Sequence, residues 1–510
     1  PIPNPQSPIP NPQSPFAPFL NLIKFYLNCK KYIIFKIFIF LMEKIINKHL
    51  SILLISDFFY PKVGGVEVHI YQLAVSLIRL GCKVTVLTHH RKNRQGIKIM
   101  GNGIKVYFNP MMTLYDDSTI PILYGALKII REICYLEKVD IIHCHQSASS
   151  LSLEGIFHSK MLGLNVVFTD HSLFGFSLFD EVSINKVLRT FFIDVDETIS
   201  VSNIAMENLI LRALINPRIA HTIPNAIDNT KFRPPTEKEL KELKKQRKKD
   251  EKDEVITIVS ISRQTDRKGT DLLIEVIPEI CKQLPNVNFI IGGDGPKKKL
   301  LDIMIDALGL KDRVKLTGFL AHHKVRDVMI QGQIYLNTSL TESFCIAIVE
   351  AASAGLYTIA TDVGGVGEVL PEYMVRLVKP DKESIIQAIK ETIINYDKLK
   401  EKTQNNYKVL KSIYNWDKVA KKTMLVYDKA LKKTDLSFIT RIKKIMTIGH
   451  LSTVIYLCAV LIDFIFLFLL TIFQPLRSIK KKDKEFKYKN YVKYLESKKS
   501  DGNKKVKKKK

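Results

Sequence analysis

From Leu50 onward the chain alternates two apolar patterns. The first is short and nearly continuous, and predicts strands over Ser51–Ser56, Lys83–Thr88, Ile104–Phe108, Val139–His145, Val166–Asp170 and Thr198–Val201. The second has a helical period. Val66, Ile70, Leu73, Leu77 and Leu80 share one face of a helix predicted over Val66–Leu80, which Gly81 closes. Strands apolar on both faces, with helices between them, belong to a parallel sheet covered on both sides. The pattern breaks at Thr236–Glu254, a segment dominated by Lys and Glu, and then resumes. Val255–Ser260, Asn288–Gly292, Val314–Thr317, Ile334–Leu340, Tyr357–Thr361 and Val375–Val378 read as further strands, with helices over Gly269–Gln283 and Pro296–Leu308. The fold class is therefore α/β: two Rossmann-like, doubly wound domains, 50–235 and 255–435, facing each other across a cleft. The segment 236–254 is the charged linker or an exposed helix, and Asn405–Leu431 is expected to be helical and to pack back on the domains. In such sheets ligands sit beyond the carboxyl ends of the strands.

The flanks read differently. Residues 1–41 contain the repeat PIPNPQS at Pro1–Ser7 and Pro8–Ser14, then an apolar, basic run. Met42 is the expected start of the native protein, with the preceding segment an extension. Leu451–Phe473 is almost wholly apolar, broken by Asp463 and long enough to span a bilayer, and is expected to be a single C-terminal transmembrane helix. An intramembrane Asp needs a partner, and a helix from a different protein of a complex is the expected one. The tail, 474–510, is strongly basic. Arg477–Lys510 holds 16 Lys/Arg against 4 Asp/Glu, a net +12 within a whole-chain charge of +27. Such a tail is solvated or meets anionic lipid headgroups. No nucleic-acid-binding motif accompanies it. The seven scattered cysteines include no Cys-x-x-Cys pair, which points to a reducing compartment and away from a zinc site. That places the large domains in the cytosol. The positive-inside rule places the tail there too, and one simple crossing cannot satisfy both.

Four loops and one helix carry candidate chemistry. Glu342 and Glu350 flank the apolar run of TESFCIAIVEAASAG. On one helix they would lie on roughly the same side, ~12 Å apart along the axis, placed to grip a polyhydroxylated ligand. Arg263 and Lys268, in SRQTDRKG, could clamp a diphosphate and offset charge on a leaving group. Gly64 and Gly65 at a helix start let backbone N–H groups approach a phosphate. Gly293 and Gly295, in GGDGP, permit close ligand approach at a strand end, or simply make a turn. His171, in TDHSLFGF, could donate to a sugar hydroxyl or phosphate. Solvated surface charge and tight turns remain open as the bland alternatives for each.

Together, the Arg263/Lys268 pair and the Glu-(seven residues)-Glu segment resemble the retaining glycosyltransferases of family 4, which have the GT-B fold. SDFFYPKVGGVEVHIYQLA, FTDHSLFGF, IPNAID, FIIGGDGPK, LNTSLTESFCIAIVEAASAG and VGGVGEVLPE are similar to the catalytic subunits of phosphatidylinositol N-acetylglucosaminyltransferases. The resemblance covers about Ser51–Phe473. The N-terminal repeat, the charged insertion and the very basic tail depart from the family pattern. The resemblance implies transfer of N-acetylglucosamine from UDP-GlcNAc to phosphatidylinositol, on the cytosolic face of the endoplasmic reticulum membrane, within a complex of several subunits. It implies that Arg263 and Lys268 bind the diphosphate, that Glu350 bonds the ribose hydroxyls and that Glu342 meets the donor sugar. Gly65 would offer its N–H to phosphate, and His171 would contact the donor sugar. No Asp-x-Asp stands in a donor-site context, so the sequence calls for no metal or other cofactor. A phosphatidylinositol mannosyltransferase and a non-catalytic scaffold of the same fold are the rival readings.

Overall fold

The computed structural model describes residues 50–479, apart from 63, 91–93, 114–117, 122, 176, 178–183, 248–254, 404 and 435–437. The expectations for residues 1–41, for Phe176 and for most of the basic tail lie outside these.

The N-terminal sheet has strands β1 (Ser51–Ile55), β2 (Lys83–His89), β3 (Gly96–Ile99), β4 (Lys105–Asn109), β5 (Ile141–His145), β6 (Asn165–Asp170), β7 (Glu197–Ser200) and β8 (Ala220–Thr222). They lie in the order β3-β4-β2-β1-β5-β6-β7-β8, parallel except for β3, which pairs antiparallel with β4. The C-terminal sheet has β9 (Ile256–Ile261), β10 (Val287–Gly292), β11 (Val314–Gly318), β12 (Ile334–Asn337), β13 (Tyr357–Thr361) and β14 (Val375–Val378). Their order is β11-β10-β9-β12-β13-β14, all parallel. Both are doubly wound arrangements, as the apolar pattern required. Each has its own core: Leu53, Ile55, Ile130, Ile142 and Phe168 in the first, Ile258, Leu273, Phe289, Ile334 and Ile359 in the second.

Three expectations change. The predicted strand Ile334–Leu340 ends at Asn337, and the following helix is only Ile346–Ser353. Cys345, at its N-cap, is left-handed (φ 60°), a conformation that stops the helix from extending backward. Glu342 therefore lies in the loop before the helix, and the two carboxylates do not share one helical face. The charged segment, expected as a linker or an exposed helix, takes the helical alternative, and the change is that this helix is tied to the domain beside it. Glu237–Arg247 is a helix opened by a reciprocal cap, in which Thr236 N donates to Glu239 Oε2 at 2.7 Å and Glu239 N to Thr236 Oγ1 at 3.3 Å. Arg326 also donates to both oxygens of Glu239, at 3.0 and 3.1 Å, and so ties this helix to the C-terminal domain.

The third change concerns Asp463. The apolar helix is His450–Phe473, long and apolar enough to cross a membrane. Asp463 is fully buried, and its carboxylate lies 2.9 Å from His158 Nδ1, on the helix Ser150–Met161 of the N-terminal domain. Its partner is thus in the same chain, because the helix turns its only carboxylate inward. Asn405–Leu431 resolves into Asn406–Ile413 and Trp416–Leu431. The second packs on the first domain, where Tyr427 OH meets His143 Nδ1 at 2.7 Å and Met424 Sδ meets Cys82 Sγ at 3.6 Å. The six described cysteines form no disulfide.

Candidate functional site

The loops after β9, β10 and β12 pack backbone against backbone at the carboxyl end of the second sheet. Gly269 has φ 66°, and a Cβ there would stand 1.8 Å from the carbonyl oxygen of Thr338. The Thr338 hydroxyl donates to the carbonyls of Lys268 and Gly269 at 3.1 and 3.0 Å, and Leu340 N donates to Arg267 O at 2.9 Å. This contact brings Lys268 to Glu342. Lys268 Nζ donates to Glu342 Oε1, which also accepts from Ser339 Oγ at 2.8 Å. The two charged side chains are only partly exposed, at 27% and 12%. The predicted cation and carboxylate therefore meet each other, and an incoming anion would share Lys268 with Glu342. Arg263 stands exposed on the same loop.

Glu350 occupies a separate corner. It sits on Ile346–Ser353 and is 9% exposed, with His322 Nε2 at 3.6 Å. Lys231 Nζ donates to His322 Nδ1 at 2.6 Å. Burial pushes the Lys231 ammonium below its ordinary pKa, while Glu350 opposes that shift. Neither His322 nor Lys231 stands in a motif that the sequence would single out.

The glycines divide into two roles. A Cβ on Gly293 would stand 1.8 Å from Ser262 O, and one on Gly295 2.4 Å from Gln264 O. The packing of GGDGP on the β9 loop already accounts for both. Gly65 begins the helix Gly65–Arg79 with no atom within 4 Å of its Cβ position, so its side is open. Gly64, its N-cap, faces the Glu67 carboxylate, which folds over that end.

The N-terminal domain contributes a histidine cluster. His171 Nε2 lies 3.3 Å from His145 Nδ1, and the His69 ring packs edge-on to His171 at 4.6 Å, with Trp416 beyond it at 5.2 Å. His69 Nδ1 is held by Asn225 Oδ1 at 2.7 Å. Burial lowers the pKa of His69 to about 4, and those of His143, His145 and His171 well below the ordinary value. All four imidazoles are therefore neutral at pH 7. His69, His145 and His171 bring nitrogens within 4.8 Å of one another, close enough to hold a metal ion. The main chain of His171 is fixed by Asp170, whose Oδ1 accepts from His171 N at 3.0 Å and whose Oδ2 accepts from the buried Arg212 at 2.6 Å.

The two domains touch at this point. Ser343 Oγ donates to His171 O at 2.5 Å, and Ser202 Oγ donates to Ser343 O at 2.6 Å. Glu368 accepts from Asn203 N and Ile204 N, both at 2.8 Å, and caps the helix Asn203–Ala213 from across the cleft. A cavity of about 380 Å³, lined by Leu173, Phe174, Gly175, Arg267 and Thr341, opens beside these contacts. Ser202, Ser343 and Glu368 were not legible in the sequence, because each acts through a partner more than a hundred residues away. The arrangement joins a cation–carboxylate pair, a neutral imidazole donor and a helix N-terminus open on the Gly65 side and covered by Glu67 on the Gly64 side. It can bind an anion and orient hydroxyl groups, and it holds no Ser/His/Asp-type nucleophile pair among the described residues.

Comparisons with known proteins give the family and the fold. A family model for PIGA (GPI anchor biosynthesis) matches residues 89–178, and one for glycosyl transferases group 1 matches 241–409. The chain is 42% identical over 426 residues to a phosphatidylinositol N-acetylglucosaminyltransferase subunit of Arabidopsis thaliana, covering 84% of this chain and 92% of that protein. Its human namesake is 43% identical over 425 residues, covering 82% and 84%. The gpi3 subunit of the same transferase from Schizosaccharomyces pombe is 41% identical over 426 residues, covering 84% and 91%. Among solved structures, sucrose-phosphate synthase from Thermosynechococcus elongatus superposes with a TM-score of 0.60 at 19% identity, over 74% of this chain and 98% of that one, which supports the fold alone. The chain thus belongs to the PIGA family of phosphatidylinositol N-acetylglucosaminyltransferase subunits, glycosyltransferases of the GT-B fold.

Proposed function

We propose that this chain transfers N-acetylglucosamine from UDP-GlcNAc to phosphatidylinositol, the first step of GPI-anchor synthesis, with retention of configuration. The observation that carries the reading is the Lys268–Glu342 contact at the carboxyl end of the second sheet, in a chain more than 40% identical to named transferase subunits. In this reading Arg263 and Lys268 hold the diphosphate and offset the charge of departing UDP. Glu342 orients the donor sugar and, through its contact with Lys268, sets that cation's position. Glu350, beside His322 and Lys231, takes the ribose hydroxyls. Gly65 offers a backbone N–H to phosphate at the start of its helix. His171, neutral and backed by His145, donates to the donor sugar. Rate enhancement comes from orientation and electrostatics, and the reading requires no metal.

The enzyme works at the endoplasmic reticulum membrane with its catalytic domains toward the cytosol. Its relatives are named as subunits, and this chain likewise acts with other members of a transferase complex. The test is incubation of membranes carrying the full-length chain with radiolabelled UDP-GlcNAc and phosphatidylinositol, in parallel with radiolabelled GDP-mannose. Labelled lipid from UDP-GlcNAc alone, lost in Glu350→Ala at unchanged protein level, is expected. Label from GDP-mannose would transfer the assignment to a mannosyltransferase, and no label from either would leave a scaffold.

A further inference from the structure

Three segments of the chain meet at Glu350, the carboxylate read above as the ribose ligand. Glu350 itself sits on Ile346–Ser353, after β12. His322 comes from the turn His322–Lys324, after β11. Lys231 belongs to neither sheet. It lies on the connector that runs from β8, the last strand of the first domain, to the helix Glu237–Arg247.

The connector is fixed to the second domain on both sides of Lys231. Asn229 Nδ2 donates to Tyr414 O and Tyr407 OH donates to Asn229 O, both at 2.8 Å. Arg326 Nε donates to Arg233 O at 2.9 Å. Between these ties, Lys231 N donates to Asp228 O at 3.0 Å and closes a tight turn. Phe232, 1% exposed, anchors the next position, and its ring stands edge-on to His322 with centroids 5.8 Å apart. The backbone at Lys231 is thereby held within reach of His322.

The contact decides which nitrogen of His322 carries the proton. An ammonium donates and has no lone pair, so Nδ1, 2.6 Å from Lys231 Nζ, is the accepting nitrogen. In a neutral imidazole the proton is then on Nε2, the nitrogen 3.6 Å from Glu350 Oε1. Without Lys231 either nitrogen could carry it, and a lone pair turned to the carboxylate would repel it. At 3.6 Å the N–H attracts Oε1 without closing a hydrogen bond, so the lone pairs of Glu350 stay free for a ligand. The terminal torsion of a glutamate is broad, whereas a vicinal diol needs both carboxylate oxygens turned to its two hydroxyls. An N–H aimed at one oxygen narrows that torsion before the ligand arrives, and such preorganisation raises affinity.

We propose that Lys231 and His322 are positioning residues for the donor's ribose: Lys231 fixes the His322 tautomer, and His322 Nε2–H sets the plane of the Glu350 carboxylate for the two hydroxyls. The proposal rests on the ribose role given to Glu350 and deepens it. It also makes the connector between the domains part of the donor site.

The test is calorimetric titration of the full-length chain, purified in detergent, with UDP and with its analogue lacking both ribose hydroxyls. The parent chain should prefer UDP by roughly 10–100-fold, the worth of two hydroxyls on a carboxylate. Lys231→Met and His322→Phe should each weaken UDP binding roughly 3–10-fold and leave the analogue's affinity unchanged. His322→Gln, whose amide N–H can replace Nε2–H, should keep most of the preference. Equal weakening of both ligands would mean that Lys231 acts on the fold or the diphosphate, and would overturn the inference. So would a preference kept in Lys231→Met but lost in Glu350→Ala, an outcome that leaves the ribose role of Glu350 standing. A parent chain that binds both ligands alike removes that role and the inference with it. Labelled lipid is read separately, from the same chain in membranes. None formed, with the preference and its loss as expected, strikes the transfer reading alone.

Discussion

Replacing Lys268 with Met separates two roles for that cation. Lys268 touches Glu342, and both side chains are mostly shielded from solvent, at 27% and 12% exposed. Two unit charges at ~4 Å attract by ~4 kcal/mol at an effective dielectric of ~20, before side-chain ordering and desolvation are subtracted. An equivalent interaction with a departing diphosphate puts Lys268→Met at ~3–4 kcal/mol of transition-state stabilisation, or roughly 10²–10³ in kcat. A second explanation predicts the same loss: without its counter-ion, Glu342 could repel the diphosphate. The double variant Lys268→Met/Glu342→Gln decides between them. If Lys268 acts on the leaving group, the double variant falls below Glu342→Gln by most of the single-variant loss. If it only neutralises Glu342, the double variant matches Glu342→Gln. The assay is the initial rate of labelled-lipid formation against UDP-GlcNAc concentration, with kcat reduced more than the donor KM is raised. A double variant no slower than Glu342→Gln would refute the leaving-group role.

Four further outcomes are expected. Arg212→Met leaves the buried Asp170 carboxylate uncompensated, at a cost of ~3–5 kcal/mol and roughly 10 °C in melting midpoint; an unchanged midpoint by scanning calorimetry would contradict this. Burial pushes the Glu137 carboxyl up, but Lys105, Lys83 and Tyr107 outweigh it and hold its pKa at about 2 against the ordinary 4.5. The stability it contributes is present above pH 4.5 and is lost as pH falls from there toward 2. Allowing for the half-exposed Lys83 it is ~2 kcal/mol, and Glu137→Gln should flatten urea-midpoint curves over that interval. Glu368→Ala removes a helix cap supplied across the cleft, ~1–2 kcal/mol, and should lower the melting midpoint by roughly 2–8 °C; an unchanged midpoint would contradict the cap. Prolonged dialysis against EDTA should leave the transfer rate unchanged; a loss restored by added zinc would instead assign a metal to His69, His145 and His171.

The fold was legible wherever burial is two-sided. β1, β5, β9 and β13 are buried or nearly so on both faces, and their apolar runs announce them without help from neighbours. β3 did not, because Gly96–Ile99 is an antiparallel edge that is largely exposed, and no core imposes a pattern on it. The cap Thr236–Glu239 was readable as T-x-x-E, but the surrounding Lys/Glu density hid it.

The carboxylate pair shows where reading by period stops. Phe344, Ile346, Ile348 and Val349 continue an apolar run through the true helix start, so periodicity has no reason to break there. What breaks it is tertiary. Gly364, at φ 53°, lets its loop approach so closely that a Cβ would stand 2.2 Å from Glu342 O, and Gly365 N donates to that same carbonyl at 2.9 Å. The backbone of Glu342–Ser343 is thereby held out of the helix and presented to Ser202 and His171 of the other domain. The same displacement carries the Glu342 side chain to Lys268 and leaves Glu350 alone on the helix beside His322. Residue spacing put the two carboxylates on one helical face, and that geometry does not hold. Their separation into a cation-linked corner and a histidine-linked corner is what a nucleotide sugar, with a diphosphate between its two hydroxyl-bearing rings, would need from this cleft.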